Sequence, residues 1–284
     1  MNFARAKTIM IFIFIFVNIF LLIVYNLFVL QDKKIDKETL ITVLANNNIT
    51  VDETLINDDR VTLNGVEVIN SANDKETIAK EFLGKKYEKE KENTYKTDKA
   101  RLTVANTSVE LEIFSPSDRK YKDINELNAG NKVIKTISGY GIEKFALDVY
   151  NSSENANGDY HVTISYKYED LPVFNHNLYA FASSKGLKNL KGSVISFNNV
   201  DDQEYIVNSV SEILLEFINN TDIKGGNEPV VITDVNLGYY IPVNEFEASI
   251  YAIPSYEIIL ESGKIYYYDA RKEVDSSFRF LFKK

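Results

Sequence analysis

The 284-residue chain has no cysteine, no tryptophan, only two methionines and only two histidines. Without thiols there is no disulfide framework, thiolate nucleophile, thiolate metal site or lipoprotein-style attachment. The imidazoles, His161 and His176, stand apart in sequence with no third ligand signalled, so neither a metal site nor any cofactor is expected. Equally missing are a Ser nucleophile elbow, a phosphate loop, a His-Glu-x-x-His motif and a Rossmann fingerprint. The net charge is −9. Its first thirty residues carry Arg5 and Lys7 and no acid, so the remainder carries −11. A polyanion would be repelled overall, which argues against nucleic-acid binding.

What is present begins with an apolar run from Ile9 to Leu30, interrupted only by Asn18, Tyr25 and Asn26. As a helix it would be about 33 Å long, enough for a hydrocarbon core of about 30 Å. A signal-peptide core is shorter and ends in small residues; this run ends Tyr25-Asn26-Leu27-Phe28-Val29-Leu30. The sequence therefore predicts an uncleaved transmembrane helix at 9–30 after a cytoplasmic tail at 1–8. Arg5 and Lys7 precede it and Lys33, Lys34 and Lys37 follow, so the count of basic residues does not set its orientation. The short tail and the bulk of the remainder favour the N-terminus inside and residues 31–284 outside. Asn18, Tyr25 and Asn26 are seven and eight residues apart and share a helix face with Ile11, Phe14, Ile15 and Leu22. In hydrocarbon a carboxamide seeks a partner, and interhelical hydrogen bonds of this kind contribute roughly 0.6–2 kcal/mol. The face Ile11, Phe14, Ile15, Asn18, Leu22 and Tyr25 is the candidate contact with another membrane helix, against the plainer reading of a tolerated Asn18 and interfacial Tyr25 and Asn26.

Hydrophobic content of 45% and charged content of 26% belong to a folded globular portion. After a charged link at 31–38, Asn64-Gly65 suggests a tight hairpin within Val61–Ile69. Asn73, with Glu76 three residues on, suggests a capped helix through Tyr87 carrying Ile78, Phe82 and Leu83. The mixed run Lys85–Lys96 reads as a solvated face or hairpin edge. Arg101–Phe114 alternates as a strand does. Ile124, Leu127, Val133, Ile134 and Ile137 fit a helix ending at Gly139 and Gly141. Strands follow at Lys144–Tyr150, Tyr160–Tyr168, Val173–Phe181 and Ser193–Phe197. Asp201 and Glu204 read as a capping box opening a helix through Asn219 whose face is Ile206, Val210, Ile213, Leu214, Phe217 and Ile218. Extended segments close the chain at Val230–Asn236, Gly238–Val243, Glu247–Leu260 and Lys264–Asp269. A helix then a meander with Tyr168-Glu-Asp-Leu-Pro172-Val-Phe174 is echoed by a helix then a meander with Tyr251-Ala-Ile-Pro254-Ser-Tyr256. The expectation is an α+β fold: a transmembrane helix followed by two helix-on-antiparallel-sheet units, a first domain at 39–200 and a second at 201–284.

His161 is read as an exposed strand residue and His176 as a turn residue near Pro172, not as catalytic groups. Asp201-Asp202 is assigned to helix capping and Asp58-Asp59 to a turn. Tyr239-Tyr240 and Tyr266-Tyr267-Tyr268 suit sheet packing, though aromatics also line sugar- and peptide-binding grooves. No catalytic residue is predicted. A wall hydrolase would need two carboxylates facing each other across a cleft.

The opening Met1-Asn-Phe-Ala-Arg-Ala-Lys-Thr-Ile-Met-Ile-Phe-Ile-Phe, then Val17-Asn-Ile-Phe-Leu-Leu22, resembles the start of the YycI family. Members of that family begin with an aromatic residue, an Arg or Ser, Lys-Thr-Ile and a hydrophobic stretch with Asp or Asn before Ile-Phe-Leu-Leu. The overall length is similar too. The ending, Ala252-Ile-Pro-Ser-Tyr-Glu-Ile and Gly263-Lys-Ile-Tyr-Tyr-Tyr-Asp-Ala270, is similar to that family and its relative YycH. The specific residues lie at these two ends. The resemblance implies a membrane-anchored, extracytoplasmic regulator of a Gram-positive cell. With a YycH-type protein it would modulate an essential sensor histidine kinase of the WalK (YycG) type that controls cell-wall metabolism. In that family the transmembrane helix is central to the association, and the resemblance also implies the N-in orientation. The competing expectation is an extracytoplasmic module that binds or senses wall fragments.

Overall fold

The alternation of apolar and polar residues is realised as strand after strand, and the chain is mostly β. The computed structural model describes residues 10–22, 35–59, 61–140, 146–220, 229–272, 274 and 280–283. The described helices are α1 (10–22), α2 (Lys37–Asn46), α3 (Lys75–Leu83), α4 (Glu126–Ser138) and α5 (Val210–Ile218). The first strands are β1 (Ile49–Val51), β2 (Thr62–Asn70), β3 (Glu88–Lys91), β4 (Thr94–Lys96), β5 (Ala100–Ala105) and β6 (Ser108–Ile113). Next come β7 (Ala146–Glu154), β8 (Tyr160–Tyr168), β9 (Leu171–Ser183), β10 (Gly186–Ser193) and β11 (Ile195–Ile206). The chain closes with β12 (Val230–Tyr240), β13 (Ser249–Leu260), β14 (Ile265–Asp269) and β15 (Phe280–Lys283).

The expected two helix-on-sheet units are corrected by the strand order. One path runs β11-β2-β13-β12-β9-β10-β6-β5-β4-β3, curled into half of a barrel, with β7, β8, β14, β15 and β1 attached to it. Early and late strands interleave: β2 lies between β11 and β13, and β1 pairs in parallel with β12. A single parallel bridge, Tyr239 with Val173, joins β12 to β9. There Gly238 allows close approach, since a Cβ at that position would sit 2.3 Å from the Pro172 carbonyl oxygen.

The transmembrane part of the expected fold is corrected as well. Among the described residues no helix is long and apolar enough to cross a membrane. The described part of α1, residues 10–22, spans about 20 Å at about 1.5 Å per residue, against a hydrocarbon core of about 30 Å. Ile9 and residues 23–30 of the predicted span lie outside the described residues.

Three local expectations change for physical reasons. Asn64-Gly65 makes no hairpin: β2 continues through it, paired there with β11 alone and with β13 as well from Val66 to Ile69, with Leu63, Val66 and Val68 buried. Asp201 opens no helix, because 195–206 is β11, with a register shift between Val200 and Glu204. The capping box is Ser209 with Glu212, eight residues later, and α5 buries Val210, Ile213, Leu214, Phe217 and Ile218. The helix expected from Asn73 is capped by Asp74, whose Oδ1 accepts from the Thr77 backbone N–H at 3.0 Å, and stops at Gly84 with φ +79°. α4 forms near its expected place, opened by the reciprocal pair Asn125 and Asn128. Its Leu127 is not on the core face, being 94% exposed, while Val133 and Ile137 are fully buried.

Packing follows from these elements. α4 lies on β7, with Gly130 directly over the Val149 methyls. Beneath α5, the Phe217 ring meets Tyr266 at 5.3 Å and Tyr268 at 6.2 Å between centroids. The Tyr166 hydroxyl, wholly buried, donates to the Ser193 carbonyl at 2.7 Å.

Candidate functional site

The candidate membrane-helix face begins with residues that cannot hide. Every residue of α1 is exposed, including Ile11, Phe14, Ile15, Asn18 and Leu22 of the predicted face. Asn18 donates from Nδ2 to the Phe14 carbonyl one turn back, at 2.8 Å, so its donor is engaged within the helix. Tyr25 and Asn26 lie outside the described residues.

The other singled-out groups are distributed through the sheet. His161 is exposed on β8, its ring 4.7 Å from Phe181. His176 sits within β9 at φ +62°, in the stretch where β9 bulges away from β8. Its Nε2 donates to the Val243 carbonyl at 2.7 Å and its Nδ1 accepts from Ser193 Oγ at 3.0 Å. Burial pushes its pKa below the ordinary 6.5. The unfolded chain therefore takes up this proton more readily than the folded one, and stability is lost as pH falls below about 6.5. Carboxylates such as Asp148, held below 3.8 by the Lys167 ammonium, act in a lower pH window. His176→Asn keeps a residue that tolerates positive φ. It should lower stability by about 1 kcal/mol at pH 8 and shrink the loss of melting temperature between pH 7.5 and 5. A thermal-melt series checks this, and an undiminished loss would count against the imidazole.

Asp58 does more than occupy a turn. Its carboxylate accepts from the Ser211 backbone N–H at 3.1 Å and from Ser211 Oγ at 2.7 Å, so a remote carboxylate caps α5. Asp201 and Asp202 lie in β11. The tyrosine clusters are mostly core: Tyr239, Tyr266, Tyr267 and Tyr268 are buried. Tyr267 donates to the buried Glu257 at 3.1 Å, and burial beside that carboxylate raises its pKa. Among the described residues no group of three His, Asp or Glu could hold a metal ion.

A concave site forms where sequence reasoning placed none. α3, the turn after β4, the β5–β6 pair and the segment after β6 border a half-open cleft of about 600 Å³. Its walls include Leu111, Ile113, Leu187 and Tyr121, with Phe82 and Tyr140 stacked at 5.5 Å and 19°. Burial raises the pKa of both phenols, Tyr121 to about 12, so both remain neutral hydrogen-bonding groups. Tyr121 is held by Thr136 Oγ1 at 2.8 Å. Lys86, Asp98, Lys99 and Asp118 also line the cleft. The Asp98–Lys99 turn is fixed by Thr97 Oγ1, which accepts from the Lys99 and Ala100 backbone N–H groups at 3.2 and 3.0 Å. Asp118 is fixed on both sides: Oδ1 accepts from the Lys120 N–H at 2.9 Å, and its own N–H donates to Lys185 O at 2.8 Å. The lining combines apolar and aromatic surface with two cations and two anions, of which Asp98, Lys99 and Asp118 sit on hydrogen-bonded turns. These residues come from segments near 82–86, 97–100, 111–140 and 186–187, and none carries a motif.

No family model matches the chain, and no curated protein matches it. The chain is similar in outline to a solved structure of an uncharacterized protein from Eubacterium rectale ATCC 33656, at 13% identity. That likeness covers 78% of this chain and 83% of the other, with a TM-score of 0.46.

Proposed function

We propose that the chain is a non-enzymatic accessory regulator of a two-component sensor histidine kinase of the WalK (YycG) type controlling cell-wall metabolism. It acts beside a YycH-type protein, held at the cell membrane by its apolar N-terminal segment, with the sheet on the outer side. The observation that carries this reading is α1: Met10, Phe14 and Phe16 are each more than 70% exposed, on a helix apolar nearly all round. Such a surface in water requires a cover of lipid or of another apolar helix. The resemblance of residues 1–22 to the YycI family names the kinase as the partner. A ligand that binds better to one state of such an assembly biases its signalling equilibrium.

Membranes are extracted and pulled down with the full chain, and with a version whose residues 9–30 are replaced by an unrelated anchor. Recovery of a histidine kinase by the native form only is expected. Equal recovery by both forms moves recognition to the sheet. Recovery by neither overturns the regulator reading. A second reading, an extracytoplasmic module that binds or senses wall fragments, draws on the cleft lined by aromatic and charged residues.

A further inference from the structure

We infer that the cleft between α3, the β5–β6 pair and the N-terminal approach to α4 binds a short peptide with an apolar side chain and both ends free. The volume of about 600 Å³ lies inside the range of small-ligand pockets, roughly 300–1,000 Å³. Its apolar and aromatic walls, with the stacked Phe82 and Tyr140, offer a place for an aliphatic or aromatic side chain. The charges select what surrounds that side chain. Two lysines, Lys86 and Lys99, line the cleft together with two aspartates, Asp98 and Asp118. A purely anionic amphiphile such as a fatty acid would meet the two carboxylates, and a purely cationic one the two ammonium groups. A ligand with a terminal carboxylate and a terminal ammonium satisfies both signs at once. The turns carrying Asp98, Lys99 and Asp118 are already fixed by side-chain oxygens that accept from backbone N–H groups, so less ordering is needed when the ligand arrives. The assignment does not depend on the kinase reading, since peptide binding and kinase recovery are measured separately.

The test is calorimetric titration of the full chain, in detergent micelles, with the free tripeptide Ala-Leu-Ala. Its N-acetylated form, the chemistry of a peptide still attached through its amine to a larger wall fragment, and its C-amidated form are titrated in parallel. A fourth titration uses decanoate. The free tripeptide is expected to bind, and each capped form to bind at least about tenfold more weakly, as losing a charge-assisted hydrogen bond predicts. In K86A/K99A, which alters two side chains lining the cleft, the free and C-amidated peptides should bind equally, with the fold checked by circular dichroism. The inference is overturned by absence of tripeptide binding to folded chain, by equal binding of free and capped peptides, or by unchanged binding in K86A/K99A. Binding of decanoate in preference to the tripeptide overturns it too, and makes the cleft an acyl-chain site.

Discussion

Replacing Gly238 by alanine should destabilise the chain by about 3 kcal/mol, a large effect for one added methyl group. The cost comes from what the methyl meets. At 2.3 Å lies the carbonyl oxygen of Pro172, a backbone atom, and at 2.7 Å the ring of Phe174, which is itself buried against Tyr267. Neither can rotate away as the end of a flexible side chain would, so β12 must separate from β9. This is where the parallel bridge Tyr239 to Val173 joins the two parts of the sheet path. Thermal unfolding should show a fall of roughly 10 °C. Gly130→Ala is the instructive comparison, since its Cβ would approach the Val149 methyls at 2.4 and 2.6 Å. The contact there is a side chain, and alanine gains about 1 kcal/mol of helix propensity over glycine. The loss in G130A should therefore be the smaller of the two. A Gly238→Ala melt within about 2 °C of the parent would show that the β9–β12 joint can open without cost.

Phe217→Ala should cost about 4 kcal/mol, the range for removing a fully buried aromatic ring. Phe217 has no exposed surface, and its ring is edge-on to both Tyr266 and Tyr268. Those tyrosines are on β14 and are pinned by β13 and β15, so the cavity cannot collapse easily. Phe217→Leu should cost less than about 1.5 kcal/mol, because most of the volume is kept. Urea unfolding with a lower midpoint and an unchanged slope is the expected pattern. A loss in F217A no greater than in F217L would mean that α5 is not anchored through this ring.

Local structure was legible where chemistry is local. The alternation across Tyr160–Tyr168 marks β8 and the stripe of Val133 and Ile137 marks α4, whereas Arg101–Phe114, read as one strand, is the antiparallel pair β5 and β6 joined by a turn at Asn106-Thr107. Two capping-box patterns, Asp201 with Glu204 and Ser209 with Glu212, compete within a dozen residues. The apolar stripe decides for the second, because Ile206, which only the first would place on the helix, is half exposed at the end of β11. Asn64-Gly65 misleads because turn propensity is weaker than the pairing of β2 with β11 on either side of it and the burial of Leu63, Val66 and Val68. What no local signal carries is which strand sits beside which. The likeness between the two helix-then-meander stretches suggested separate sheets, yet β2 and β1 pair with strands from beyond residue 229. The candidate cleft was hidden for the same reason, since its walls meet only after α3, the β5–β6 pair and α4 are in place. Asp58 shows the same limit: its adjacent acid suggests a turn, while its partner Ser211 is 153 residues away.

The interleaving of β2 between β11 and β13 has a consequence for how the molecule comes into being. Contacts such as Ile69 with Ser249 span about 180 residues, which puts the chain at the high contact-order, slow-folding end. On a ribosome adding roughly 5–20 residues per second, β2 would wait on the order of ten seconds or more for its second neighbour. During that interval Val66 and Val68 have no β13 to pair with, and one edge of the strand remains a template for other nascent chains. Yield of native molecules should therefore depend on chaperone supply and translation speed, independently of the stability of the finished sheet.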